Sequence, residues 1–163
     1  MISMVVAVDK NGGIGKDGKM PWHFKEDMQY FRKLTWGHTV LMGRKTYESL
    51  PDAYRPLPGR KNIVLTSNAN FPVSDGVAVI THPKDIETFC RDGECFVIGG
   101  AVTYRLFLPF ARRLYVTHIE AEYDTDTVFP FDIEEYFRCV SEQKVVEKGV
   151  VLRFCVYERN DSR

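Results

Sequence analysis

Short apolar, β-branched runs recur along the chain at 2–8 (ISMVVAV), 39–42 (TVLM), 62–66 (NIVLT), 77–80 (VAVI), 95–98 (CFVI) and 113–119 (RLYVTHI). Stretches with helical spacing fall between them at about 25–35, 44–50, 84–91 and 101–108. Strands that are apolar on both faces and separated by helices predict a largely parallel sheet covered on two sides. The tail breaks the alternation, because 136–144 and 150–158 follow each other directly across Glu147-Lys148-Gly149, a hairpin signal. The pattern predicts one α/β domain over 1–163. Its central mixed sheet has about eight strands, mostly parallel, closes with a C-terminal antiparallel hairpin and is flanked by about four helices.

One residue disturbs the first helical stretch. If Phe24, Met28, Phe31 and Leu34 mark its apolar stripe, Asp27 stands on the same stripe, three after Phe24 and four before Phe31. An acid in a first helical turn gains ~0.3–1 kcal/mol from the helix dipole, but a position on the polar face serves that purpose equally well. On the apolar stripe a carboxylate loses solvent and its pKa rises. Both a helix-start acid and a ligand-binding, proton-handling acid fit this placement.

Four other stretches carry candidate chemistry. "NGGIGKDGKMPW", 11–22, follows the first strand with four glycines and reads as a lid over the strand ends or as an irregular connection. "LMGRKTYESL", 41–50, and "FVIGGAVTYRLFL", 96–108, each run from strand through glycine into helix. Two such junctions at one sheet edge suit a pyrophosphate, although neither has GxGxxG spacing and glycine is common at such turns for steric reasons. "RPLPGRKN", 55–62, holds Arg60 in a proline-framed turn, either solvated or fixed for bidentate carboxylate recognition.

Composition limits the functional classes. With 163 residues, 44% hydrophobic and 27% charged, the chain is ordinary for a globular domain. It holds no stretch of ~18 apolar residues to span a membrane, and its start lacks the pattern of a secretory signal. Net charge is zero, yet residues 1–61 hold 11 Lys/Arg against 6 Asp/Glu while the remainder holds 11 against 16. No stretch is basic enough for nucleic acid, whereas a small anion fits the first part. Cys90, Cys95, Cys139 and Cys155 have no CxxC spacing and read as reduced core residues of a cytosolic protein. The four histidines lack ligand spacing, so no metal is expected.

Together these segments resemble the dihydrofolate reductase family, in its bacterial chromosomal type, from Met1 to about Glu158. The resemblance rests on "MISMVVAV", "GIGKDGKMPW" followed by Asp27 and Phe31, "VLMGRKTYESL", "RPLPGRKNIVLT", "VIGGAVTY", "LYVTHI", "DTVFP" and "FCVYER". It implies NADPH-dependent reduction of 7,8-dihydrofolate to tetrahydrofolate, with hydride delivered to C6 of the pterin and a proton to N5. Asp27 is then the acid that binds the pterin, Thr117 its hydrogen-bond partner and Trp22 the residue that helps hold an ordered water. Val5, Val6, Phe31, Leu50 and Leu57 form the pocket walls, and Arg60 clamps the α-carboxylate of the glutamate tail.

For the cofactor, the resemblance places Ala7, Ile14 and Gly15 by the nicotinamide carboxamide and Ser49, Ile98 and Tyr104 around the ring. Gly43, Thr46, Gly99, Gly100 and Ala101 serve the pyrophosphate, with a cis Gly99–Gly100 bond. Arg44, Lys45 and Ser67 read the adenosine 2′-phosphate, and Thr66 and Val102 are further cofactor-binding positions. The resemblance also implies a cytoplasmic monomer with dihydrofolate as substrate and antifolates as competing ligands. Three departures stand out: a rim longer by about three residues at Pro51–Tyr54, Val102 in place of a common arginine, and Gly12-Gly13, expected to loosen the lid. Rival readings are a pyrimidine reductase of riboflavin synthesis and a catalytically silent folate or nucleotide binder.

Overall fold

A computed structural model describes residues 1–91 and 93–160; Asp92 and the end of the predicted 1–163 domain lie outside them. Eight strands form one sheet: β1 (Ile2–Val8), β3 (Thr39–Gly43), β4 (Lys61–Leu65), β5 (Ala78–Ile80), β6 (Cys95–Val97), β7 (Ala111–Ile119), β9 (Phe137–Glu147) and β10 (Val150–Arg159). Their order is β5-β4-β3-β6-β1-β7-β10-β9. The first six run parallel, and β10 and β9 complete the sheet antiparallel. Two-sided burial explains the near-continuous apolar runs of the central strands: β1, β3 and β6 are almost wholly buried. The hairpin turns at Lys148 and Gly149, both at positive φ (54° and 77°), as a tight two-residue turn requires.

Helices α1 (Lys25–Thr35), α2 (Arg44–Ser49), α3 (Ala101–Phe107) and α4 (Ile133–Tyr136) complete the predicted class. The stretch expected as a helix at 84–91 is a 3-10 helix, Pro83–Thr88, short and opened by its proline. The tail after β7 adds β8 (Thr127–Val128), which pairs with β2 (Gly13–Gly15) outside the main sheet. Strand pleating divides the core. Val5, Val40, Met42, Val64, Phe96 and Tyr115 pack under α1, while Met4, Val6, Val8, Leu41, Ile63 and Val97 pack with Tyr104 and Phe107 of α3.

Two cysteine expectations are corrected. Cys90 and Cys95 are joined by a disulfide, because the turn between the 3-10 helix and β6 brings their Cα atoms to 5.8 Å. Cys139 is exposed on edge strand β9, and only Cys155 is a buried free thiol.

Candidate active site

The acid-bearing wall is built by α1, β1 and β7. Phe24 has extended backbone (φ −126°, ψ 121°) and is the N-cap, so the helix begins at Lys25. Met28, predicted on the inward stripe, lies just outside the inward face and is half exposed. The inward positions are Asp27, Tyr30, Phe31 and Leu34, with Thr35 fully buried. Asp27 thus faces the sheet, where Thr117 of β7 donates from Oγ1 to Oδ1 at 2.7 Å. Thr117 is paired with Ala7 on one side and Phe154 on the other, so its hydroxyl is fixed by the middle of the sheet.

Burial lifts the Asp27 carboxyl above the ordinary aspartate range; the Thr117 hydrogen bond opposes the rise and the Glu147 charge adds to it. Tyr30, pushed up to about 12 mainly by burial, stays neutral beside it. Trp22 is buried against Tyr123, ring centroids 5.2 Å apart, and its indole N–H has no partner among the described residues. A buried donor without a partner is costly, so this N–H suits a water or ligand atom.

Val5, Phe31, Leu50 and Leu57 belong to one apolar cluster, as expected of a pocket wall. Val6 does not join them. Adjacent strand residues point to opposite faces, and its side chain packs on the α3 side, leaving only its backbone for the pocket. Arg60 donates from Nε to the Pro58 carbonyl (2.9 Å) and from Nη1 to Thr35 Oγ1 (3.1 Å), and lies 5.9 Å from the Phe31 ring and 5.6 Å from Trp36. Nη2 has no partner among the described residues, so one edge of a fixed guanidinium is available to a carboxylate.

The second wall is backbone. After β3 and β6 the chain passes Gly43 and the cis Gly99–Gly100 pair, and Gly43 N–H donates to the Gly99 carbonyl at 2.9 Å. Neither α2 nor α3 has a side-chain cap. Both helices are short, so unpaired N–H groups matter more here than a macrodipole. Gly99 has φ +134°, and a Cβ there would sit 3.4 Å from Thr46 Oγ1 and 3.6 Å from the Tyr104 hydroxyl. That cradle fits a phosphate approaching closely along the backbone. Tyr104, buried and neutral, donates to the Val5 carbonyl at 2.6 Å and so joins the two walls. Only β1 stands between β6 and β7, which puts the walls roughly 10 Å apart, two strand spacings.

Ala7, Ile14 and Ile98 are partly buried around this junction, and Ser49 Oγ donates to the Thr46 carbonyl. The expected 2′-phosphate residues spread along the outer rim. Arg44 is paired with Glu48 at 2.8 Å, both half exposed, an i,i+4 contact weak enough for an anion to displace. Lys45 and Ser67 are exposed, Val102 is 70% exposed, and Thr66 anchors the rim by its N–H to the Ile80 carbonyl. Gly15 and Ala101 flank the cleft in β2 and at the start of α3.

The glycine-rich segment is an ordered flap. Asp126 accepts from Asp17 N–H and donates its own N–H to the Gly15 carbonyl, and Lys16 lies 3.5 Å from Asp124. The expectation of a looser lid fails at Gly13, where any Cβ would fall 2.4 Å from Thr125. Glycine there permits close packing. Sequence reasoning passed over Asp9, which is buried and accepts N–H bonds from Asn11, Gly13 and Tyr123. A carboxylate just ahead of Asn-Gly-Gly was a legible turn signal. Glu147 was also missed, and no local pattern pointed to it. In the long rim, Asp52–Tyr54 forms a 3-10 turn pinned by Arg55, which bonds Asp52 and the Glu48 carbonyl.

Comparison with known proteins finds relatives over almost the whole chain. A family model described as Dihydrofolate reductase matches residues 1–159. The dihydrofolate reductase of Bacillus subtilis is 44% identical over 99% of this chain and 96% of its own length, and that of Mycobacterium leprae 36% identical over 98% and 99%. A solved structure of the Enterococcus faecalis dihydrofolate reductase, complexed with NADP(H) and RAB-propyl, superposes with a TM-score of 0.90 at 33% identity, covering 99% of this chain and 97% of that one. Agreement of this extent shows that the chain belongs to the dihydrofolate reductase family.

Proposed function

We propose that this enzyme reduces 7,8-dihydrofolate to 5,6,7,8-tetrahydrofolate at the cleft between Asp27 and the Gly99–Gly100 turn. The carrying observation is a carboxyl that is enclosed, held by Thr117 and raised above its ordinary pKa. NADPH, when bound, supplies the hydride that C6 of the pterin receives. Asp27 accepts hydrogen bonds from the pterin 2-amino group and N3, and its charge favours the pterin protonated at N5, since an adjacent cationic nitrogen makes carbon the better hydride acceptor. The N5 proton comes from water, and the unpartnered Trp22 N–H supports a role for Trp22 in holding it. Thr117 fixes the carboxylate plane. Phe31, Leu50, Leu57 and Val5 exclude solvent from the rings, and Arg60 holds the tail carboxylate.

Gly43, Thr46, Gly99, Gly100 and Ala101 hold the pyrophosphate, and Arg44, Lys45, Thr66 and Ser67 read the 2′-phosphate beside Val102. Ala7, Ile14, Gly15, Ser49, Ile98 and Tyr104 seat the nicotinamide. The domain spans 1–163 as a cytoplasmic monomer, open to antifolates at the pterin pocket. In a reducing compartment the Cys90–Cys95 bond opens at the far end of β6 from Gly99, clear of the chemistry. The test is NADPH oxidation by purified protein with dihydrofolate. Steady oxidation supports the reading, whereas a pyrimidine reductase or a silent binder gives none.

A further inference from the structure

The first turn of α1 is capped from the other end of the chain. Phe24 stands at the N-cap position with no side-chain acceptor to offer. The N–H groups of Lys25 and Glu26 are instead accepted by Glu147 Oε2 (2.9 Å) and Oε1 (2.8 Å), at the tip of the β9–β10 hairpin. Beside it, Lys148 donates to the His23 carbonyl at 2.7 Å and lies 5.7 Å over the Phe24 ring. The next residue after this bidentate cap is Asp27. We propose that Glu147 is a positioning residue for the reaction, setting where the Asp27 carboxylate sits and the field it feels, an inference that rests on Asp27 being the pterin-binding acid.

Both consequences of the cap act on Asp27. The two bonds to Glu147 hold adjacent peptide planes, so releasing them frees the turn that carries the acid. The Glu147 charge faces Asp27 from the hairpin and offsets the positive end of α1. The other groups around Asp27 are Tyr30 on α1, neutral throughout, the Thr117 hydroxyl on β7, and His23 and Lys148 flanking the cap, with Glu26 exposed on the outer side of the helix. Glu147 itself is held below the usual glutamate range by its bonds to Glu26 and Lys25, so it stays ionised across the working range. Its charge is among the causes that raise Asp27, and removing it makes Asp27 a stronger acid.

The test compares Glu147→Gln and Glu147→Asp with the wild type, by single-turnover hydride transfer against pH, KM for dihydrofolate and Kd for NADPH. Glutamine loses the charge and sets an amide N–H2 against one of the two backbone donors. The pH midpoint should fall by about 0.3–0.5 of a pH unit, KM for dihydrofolate should rise about threefold, and Kd for NADPH should not change. Aspartate keeps the charge on a shorter arm, so its midpoint should return to the wild-type value. A Glu147→Gln profile that superimposes on the wild type, even with a Tm lower by about 2–4 °C, makes Glu147 a structural tie only and overturns the inference. If the glutamine variant does not fold, Glu147→Asp must show a raised KM with an unshifted midpoint, and a wild-type KM overturns it. Asp27→Asn run alongside separates the two readings, because undiminished hydride transfer in that variant removes the role of Asp27 itself.

Discussion

The two walls of the cleft are made of different material. On the α1 side, recognition lies in side chains: one acid, one hydroxyl, one guanidinium and a set of apolar rings, each aimed by the helix or strand beneath it. On the Gly99 side it lies in main chain, with short uncapped helices and a glycine at φ +134°, a conformation that other residues rarely adopt. The contrast indicates how each wall fails. A wall built from side chains is sensitive to isosteric changes that remove charge or geometry, and one built from backbone is sensitive to the addition of a single methyl group.

The most damaging change on the side-chain wall is Asp27→Asn. Hydride transfer at neutral pH should fall by about 10²–10³-fold, with partial recovery in acid where dihydrofolate is already protonated, and with NADPH affinity preserved. Wild-type rates at pH 7 would break the comparison at its root. On the backbone wall, Gly99→Ala should weaken NADPH by at least about tenfold, since strain at such a φ costs ~1–3 kcal/mol. Dihydrofolate affinity measured on the same protein should barely move, and equal loss of both ligands would show the walls are not independent.

Arg60→Lys should weaken dihydrofolate by roughly tenfold and leave NADPH untouched, because a point charge cannot reproduce the planar fork that Pro58 and Thr35 hold in place. Thr117→Val removes the hydrogen bond that pulls the Asp27 pKa down, so the carboxyl itself, followed by NMR titration of the ligand-free protein, should hold its proton to higher pH, opposite to the change in Asp27 expected on loss of the Glu147 charge. The smallest effect concerns stability. Asp27 holds its proton to higher pH when folded than when unfolded, so its ionised form costs stability once the pH exceeds the ordinary value of 3.8. Asp27→Asn should therefore melt higher than the wild type at pH 7, by up to about 4 °C, with the gap closing as the pH falls towards 3.8.

Elements whose own residues specify them were read correctly: the eight main strands, the type of α1, α2 and α3, and the hairpin turn. Local chemistry also marked Asp27, Arg60 and both glycine junctions. The errors share a cause. Met28, apolar and adjacent to the inward face, lies outside it, and the Val6 side chain packs on the α3 face of the sheet, so that only its backbone faces the α1 side. Gly13 was read as slack where Thr125, more than a hundred residues on, makes close packing the reason for glycine. Cys90 and Cys95 became partners through a turn whose path no periodicity specifies.

By itself the sequence determined what is encoded in nearest neighbours: hydrophobic period, turn residues, and an acid set at a helix start among apolar positions. Those features depend on interactions within a turn or a strand, whose geometry is the same in any fold. The tertiary structure alone decided that the acid meets Thr117 ninety residues away, that Tyr104 ties the glycine wall to β1, and that a glutamate from the final hairpin caps the helix carrying Asp27. Such contacts arise where separate elements are packed face to face, and pairwise distance across a core leaves no periodic trace along the chain.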